Sequence, residues 1–448
     1  FADKLRSIGR MDLLDGISNK ALEYFSDFSS ANDHLTAEAR FKHGQTLEAM
    51  GEVAYSRGKI DEAVAALQAA RVKLLSVLAE QPDNLELLKT LGANAFWLAQ
   101  IQYDASNWQA AKPEFELYYQ HSERMYELAP DDLDAIMELS YATNSLGSLA
   151  MELQQFDVAR KNFEESLRLK LLAQTKQPDS GQLMADIADT RSWLASAAQA
   201  EGNVSLAISI HKQLQSDLEK TEIIQELYLL HRLTASYQIL ADLLSYQGRI
   251  AEALSYTELG YAALAKAIEQ DPKNTNLQKR KYYYYFQSFK FSTDLNVTQV
   301  EHNLASLTEA MHAEQSVLSD ANRKENIARH WLTAAEHLQN IKQFVQSQKY
   351  ADLAQAAYDE LVEQYSQNIS YTAFLADSQL LQAKALVAAN QRDAAKSLCQ
   401  RVQERLSIIA IINKDPRYSI AYAKALDCLG ELHTHPELLA MLQRNGIE

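Results

Sequence analysis

Five of the seven prolines in this 448-residue chain share one setting, and their spacing constrains the fold more than any other feature. They occur as Gln81-Pro82-Asp83-Asn84, Ala129-Pro130-Asp131-Asp132, Gln177-Pro178-Asp179, Asp271-Pro272-Lys273-Asn274 and Asp415-Pro416-Arg417, each between two apolar-periodic segments. Successive separations are 48, 48, 94 (two steps of 47) and 144 (three of 48). A fixed period of about 20 to 50 residues marks a solenoid, in which each unit buries its apolar face only against its neighbours.

Composition agrees. Gly and Pro number 13 and 7, under 5% of the chain, where average usage gives about 12%. So few breakers exclude a fold of many strands. With 47% apolar and 23% charged residues and no low-complexity tract, a disordered chain is excluded too. No Pro/Ser-rich linker interrupts the sequence, so a single extended architecture is expected.

Within the first unit, Leu47, Met50, Gly51, Ala54, Gly58, Ile60, Ala63, Leu67 and Ala70 place apolar or small residues three and four apart on two segments broken at Gly58. Two packed helices follow from that spacing: Gly51 and Ala54 permit a close crossing, Leu67 fills the space beneath it, and Gly58 supplies the positive φ after the first helix. The pattern repeats at Leu98-Ala99, Trp108, Ala111 and Phe115; at Leu146-Gly147, Ala150, Phe156, Ala159 and Phe163; at Leu194-Ala195, Ala198, Gly202, Val204 and Ala207; and at Leu240-Ala241, Gly248, Ile250, Ala253 and Gly260.

This pattern resembles the tetratricopeptide repeat (TPR). The resemblance implies an all-α, α-α superhelix of about eight to nine long TPR-like hairpins with a period of about 48. A standard unit has about 34 residues, so the extra ~14 are expected to lengthen both helices and the link before each Pro. The organisation expected is N-terminal capping helices over 1–38, five clear hairpins over 39–280, degenerate hairpins over 281–370, and a C-terminal hairpin with a capping helix over 371–448. In that last region His435-Pro436-Glu437 reads as a helix start.

Residues 1 to 30 are helical in spacing, through Leu5, Ile8, Leu13, Leu14, Ile17, Ala21, Leu22 and Phe25. They read as a cap. The run from Lys4 to Leu14, followed by Lys20 to Phe25, also resembles the segment joining a membrane span to TPR arrays in bacterial multidomain signalling proteins, whose activity lies upstream. The chain begins with Phe1 and shows no leader-like segment, so it is expected to be a piece of something longer, with its repeats on the periplasmic side or, alternatively, in the cytoplasm.

The function classes disfavoured are several. A charge of −16, from 43 Lys+Arg against 59 Asp+Glu, with no basic cluster argues against nucleic acid. Apolar runs such as Ile408 to Ile412 are far short of a membrane span. His433 with His435, and His330 with His337, lack metal-ligand spacing. No HExxH, phosphate loop or nucleophile elbow is present, so neither an enzyme nor a cofactor is expected. Cys399 and Cys428, the only cysteines, fall on a second helix and the following first helix; they are expected to be neighbours, either bonded or free and buried.

In the family, first-helix positions two, five, nine and twelve line a concave groove. The resemblance therefore implies a protein- or peptide-binding face built from Gln45, Glu48, Glu52 and Tyr55; Ala93, Phe96, Gln100 and Tyr103; Tyr141, Asn144, Ser148 and Met151; Asp189, Ser192, Ser196 and Gln199; and Ala235, Gln238, Asp242 and Ser245. The set contains no Lys or Arg, which favours an extended neutral or basic peptide. A second candidate patch is Tyr282, Tyr283, Tyr284 and Tyr285, of which one or two are expected to be exposed while the rest pack. Together these imply a protein-interaction solenoid serving as sensor or scaffold in a larger bacterial signalling protein or, alternatively, a free-standing assembly or secretion chaperone.

Overall fold

The computed structural model describes residues 36–220, 226–313, 320–366 and 368–447. The expected capping helix and span-joining segment before residue 36 lie outside the described residues. Among the described residues there are eighteen α-helices, no strand, and one turn of 3-10 helix, Leu432–Thr434. In chain order the helices are α1 Ala37–Ser56, α2 Ile60–Leu78, α3 Leu85–Asp104, α4 Trp108–Leu128, α5 Leu133–Glu152, α6 Phe156–Lys176, α7 Gly181–Ala200, α8 Val204–Glu219, α9 Leu227–Tyr246, α10 Ile250–Gln270, α11 Thr275–Phe291, α12 Val297–Ala313, α13 Asp320–Asn340, α14 Phe344–Gln364, α15 Ile369–Ala388, α16 Arg392–Ile412, α17 Pro416–Leu429 and α18 Pro436–Arg444. They pair into eight TPR-like hairpins and a short ninth. Most of the helices run 19 to 21 residues, which is where the extra length of each unit goes.

The prolines mark helix starts for a local reason. Asn84 and Asp132 cap α3 and α5 by accepting from the N–H groups of Leu87 and Ala135. Ser180 and Asn274 cap α7 and α11 in the same way. Each cap follows its proline by two residues, the side-chain oxygen satisfying a first-turn donor that the helix leaves open. Pro416 differs: it is the first residue of α17, and Asp415 before it is the cap.

A second ruler sits at the other end of each first helix. Residues with positive φ occur at Gly58, Ser106, Gln154, Gly202, Gly248, Asp294, Lys342, Asn390 and Gly430, one in each hairpin. Their successive separations are 48, 48, 48, 46, 46, 48, 48 and 40. At eight of the nine, the following N–H reaches back to the carbonyl five residues earlier, as Lys59 does to Ala54 at 2.9 Å and Gln343 to Leu338 at 2.8 Å. This closes the helix C-terminus with a left-handed residue. Only four of these nine positions hold glycine, which is why the pattern faded in the sequence after residue 280.

Close helix crossings use the small residues as expected. A Cβ built on Gly51 would lie 2.5 Å from Leu67 Cγ, and one on Gly147 would lie 2.6 Å from Phe163 Cε1. Leu67 and Phe163 are fully buried.

The described residues divide into two compact units, one ending at Thr190 and the other beginning at Arg191, the division falling within α7. In the first, the core runs from Phe41, Leu74 and Leu91 through Phe115 and Leu149 to Leu169 and Ile187. In the second, one cluster joins α8, α9 and α11 to Met441, Leu442 and Ile447 at the chain end, and another joins α15, α16 and α17. Cys399 and Cys428 are bonded, with Cα atoms 6.3 Å apart, tying α16 to α17.

Candidate functional site

Within each unit, successive first helices lie against one another: α1 on α3 and α3 on α5 in the first, α9 on α11, α11 on α13, α13 on α15 and α15 on α17 in the second. Successive second helices make no comparable contact. That asymmetry curves each unit with the first helices on its inner side.

On the inner face of the first unit, tyrosines and carboxylates link consecutive hairpins. Tyr55 donates its hydroxyl to Asp104. Tyr103 donates to Glu152 Oε1 at 3.2 Å, and Tyr141 to Asp186 Oδ2 at 2.7 Å. Gln100 supports the first of these through Asp104 Oδ1 at 2.7 Å. Burial, reinforced by the accepting carboxylates, raises the three phenols, that of Tyr55 to about 12, so all remain neutral donors.

The remaining positions fall in different settings. Glu48 is buried, whereas Glu52 and Ser148 are half-buried on the inner side. Asn144 Oδ1 accepts from Thr190 at 3.2 Å. Phe96 packs within a ring cluster, 5.1 Å from Trp97 and 5.7 Å from Tyr118 between centroids, and so supports the face from beneath.

The mapped positions hold no Lys or Arg, but lysines from neighbouring positions reach the same face. Lys89 bridges Asp134 at 2.8 Å and Glu138 at 3.7 Å. Lys170, buried on α6, donates to Thr190 at 2.6 Å and lies 5.2 Å from the centre of the Tyr141 ring. Burial lowers its ammonium to about 8 against the opposing pull of Asp186 and Asp189. Sequence reading missed Lys89 because it lies one turn before the mapped groove positions, and Lys170 because it belongs to a second helix. Lys42, which donates to Gln45 at 3.1 Å and lies 3.8 Å from Glu86, is a third cation there, and the carboxylates Glu52, Glu86, Asp104, Asp134, Glu138, Glu152, Asp186 and Asp189 still outnumber the three.

The second unit presents a different inner face. Asp242 accepts from Tyr283 at 2.5 Å and faces Lys290 at 4.0 Å. The Gln238 carbonyl accepts from Gln287 at 2.7 Å. Arg329 pairs with Glu325 and lies 4.8 Å from the Phe374 ring centre and 5.1 Å from that of Tyr283. Asp377, raised to about 6 by burial, faces Lys424 and Lys290, which oppose the rise, and Glu336, which adds to it. Ser192 and Ser196 bond along α7, and Gln199 donates to Asp415 at 2.6 Å.

The tyrosine run is also corrected. Tyr282 and Tyr284 are fully buried, Tyr283 and Tyr285 half-buried, and none of the four is exposed. Their hydroxyls reach the Ala310 carbonyl, Asp242, the Thr234 carbonyl and Tyr261 respectively. The physical reason is that α11 touches α9, α10, α12 and α13, so every face of this helix meets protein. The histidines are packed as well: His330 bonds the Asn326 carbonyl and His337 that of Phe289.

No family model and no curated protein sequence matches the chain. Among solved structures, the apo form of RapI is similar at 12% identity over 71% of this chain and 99% of its own, with a TM-score of 0.45. Aspartyl phosphate phosphatase F from Bacillus subtilis is similar at 14% identity over 76% and 80%, with a TM-score of 0.44. Yeast Tom70 is similar at 13% over 99% and 91%, with a TM-score of 0.33. At these scores the fold assignment rests on the hairpins themselves. No described helix is long and apolar enough to cross a membrane.

Proposed function

We propose that the chain is a protein-interaction solenoid whose first unit holds an extended, basic segment of a partner along the inner faces of α1, α3 and α5. The observation that carries this reading is the row of tyrosine-to-carboxylate bonds repeated at Tyr55, Tyr103 and Tyr141. It sets acceptor oxygens at hairpin intervals on a face with surplus negative charge. Carboxylates already oriented by a phenol lose little freedom when they accept from a Lys or Arg, and the repeat spacing suits an extended chain.

The role is that of a sensor or scaffold region in a larger bacterial signalling protein, with any catalysis elsewhere. The Cys399–Cys428 bond supports placement in an oxidising compartment, which fits the exported side of a membrane.

The test is fluorescence anisotropy with a short lysine-rich peptide, compared with its glutamate-rich counterpart. The basic peptide is expected to bind, more weakly as salt rises. The double variant Glu152→Gln/Asp186→Asn is expected to lose most of that affinity. Equal binding of both peptides, or an unchanged double variant, refutes the proposal.

A further inference from the structure

The two ends of the second unit meet. Asn445, immediately after α18, accepts from the Val204 N–H at 2.8 Å and donates to the Gly202 carbonyl at 2.6 Å. It thereby caps the first turn of α8 from 241 residues away. Its own carbonyl accepts from Gln247 at 2.8 Å. The Lys414 N–H donates to the Ala200 carbonyl at 2.8 Å. Met441, Leu442 and Ile447, each 6–7% exposed, pack with Ala198, Val204 and Leu244. These contacts close the unit around the inner faces of α9, α11, α13, α15 and α17.

The segment that closes it is slight. After Gly430 the chain makes one 3-10 turn and the nine-residue α18, whose helix contacts within its own hairpin are to α17 and that turn. The disulfide joins α16 to the last turn of α17, two residues before Gly430. It therefore fixes the point from which the closing segment departs.

We propose that the Cys399–Cys428 disulfide is a redox latch that holds α18 and Asn445 against α8, so that its reduction releases this segment from α8 and uncovers the apolar patch of Ala198, Val204 and Leu244 on which it packs. Cys428 is half-buried while Cys399 is 1% exposed, so the thiolate of a dithiol reductant attacks the Cys428 sulfur. The S–S bond breaks, Cys399 leaves as thiolate and takes a proton, and the second thiol of the reductant resolves the mixed disulfide. Two electrons and two protons pass to the protein, and the reductant departs as its own disulfide. The inference stands on contacts of the second unit alone and is independent of the peptide-binding reading of the first.

Hydrogen exchange of the full chain, oxidised and after treatment with dithiothreitol, tests the latch. Reduction is expected to speed exchange at least tenfold in residues 200–208 and 430–447, leaving 260–285 unchanged. In the oxidised protein, Asn445→Ala is expected to release the Val204 amide with the disulfide intact. Because the reductant acts on folded wild-type protein, the test does not depend on a cysteine variant folding. Unchanged exchange in both segments on reduction overturns the proposal. So does uniform loss of protection across the unit, which would make the bond a general staple, and so does a Val204 amide unaffected by Asn445→Ala.

Discussion

The left-handed turn that ends each first helix can be tested by giving it the residue its geometry favours. Ser106, Gln154 and Lys342 hold φ values of 59°, 57° and 62° where Gly58, Gly202 and Gly248 hold 70° to 79° in corresponding turns. A non-glycine residue in this region costs roughly 1–2 kcal/mol. Glycine removes that cost but loses about 0.5–1 kcal/mol more in unfolded-chain entropy. The difference is a net gain of about 0.5–1 kcal/mol per site. The three turns are a repeat or more apart in sequence and belong to different hairpins, so their effects are expected to add, giving ~1.5–3 kcal/mol for Ser106→Gly/Gln154→Gly/Lys342→Gly. Urea unfolding followed by circular dichroism reads this as a higher midpoint. Val158→Gly, on an exposed face of α6, serves as the control and is expected to lose about 1 kcal/mol. If the triple variant is destabilised like the control, the turn assignment is wrong.

Further outcomes follow from packing and charge. Gly147→Ala places a methyl against the Phe163 ring and is expected to cost about 1–3 kcal/mol, largely recovered by adding Phe163→Leu; no recovery in thermal melts would mean the crossing is not what fails. His121, His211 and His330 are held near 4 by burial. Because their folded values lie below the unfolded 6.5, the unfolded chain binds more protons between about 4 and 6.5. Stability is then full above pH 6.5 and falls as pH drops through that window, by up to about 2 kcal/mol per histidine at pH 5. Denaturation at pH 7 and pH 5 should show it, and equal stability at both counts against the burial. Asn94→Leu removes the side chain that donates to the Leu67 carbonyl at 2.8 Å and accepts from Arg71 at 2.9 Å. Arg71 keeps its pair with Glu114, so losing the two Asn94 bonds is expected to cost about 1–2 kcal/mol by chemical denaturation.

The first five hairpins were legible because Pro before a cap and Gly or Ala at a crossing are residue types with one strong local reason to be there. The later hairpins use the same geometry with less diagnostic residues. Lys342 and Asn390 occupy the turn that Gly58 announces, and Ala335 with Ser347 replaces a glycine crossing, the Ser347 hydroxyl bonding the Ala335 carbonyl at 2.8 Å. The inner face was legible by helix position but not by partner. A bond such as Tyr103 to Glu152 spans 49 residues, so its only sequence trace is an acid one position after the next period of 48, as Asp104 is for Tyr55. Lys170 left no trace, since it reaches the face from a second helix. The four tyrosines misled for a different reason: exposure depends on how many neighbours surround α11, a tertiary fact that no local window contains.

The measurement that bears most directly on the central claim is oxidative footprinting of the chain with and without a bound lysine-rich peptide. Tyr103 and Tyr141 lie on the proposed binding face, whereas Val72, Leu75 and Val158 are exposed on second helices. The account predicts that the peptide shields the two tyrosines and leaves the three aliphatic residues reacting as before. Shielding of Val72, Leu75 and Val158 with Tyr103 and Tyr141 unchanged would contradict it.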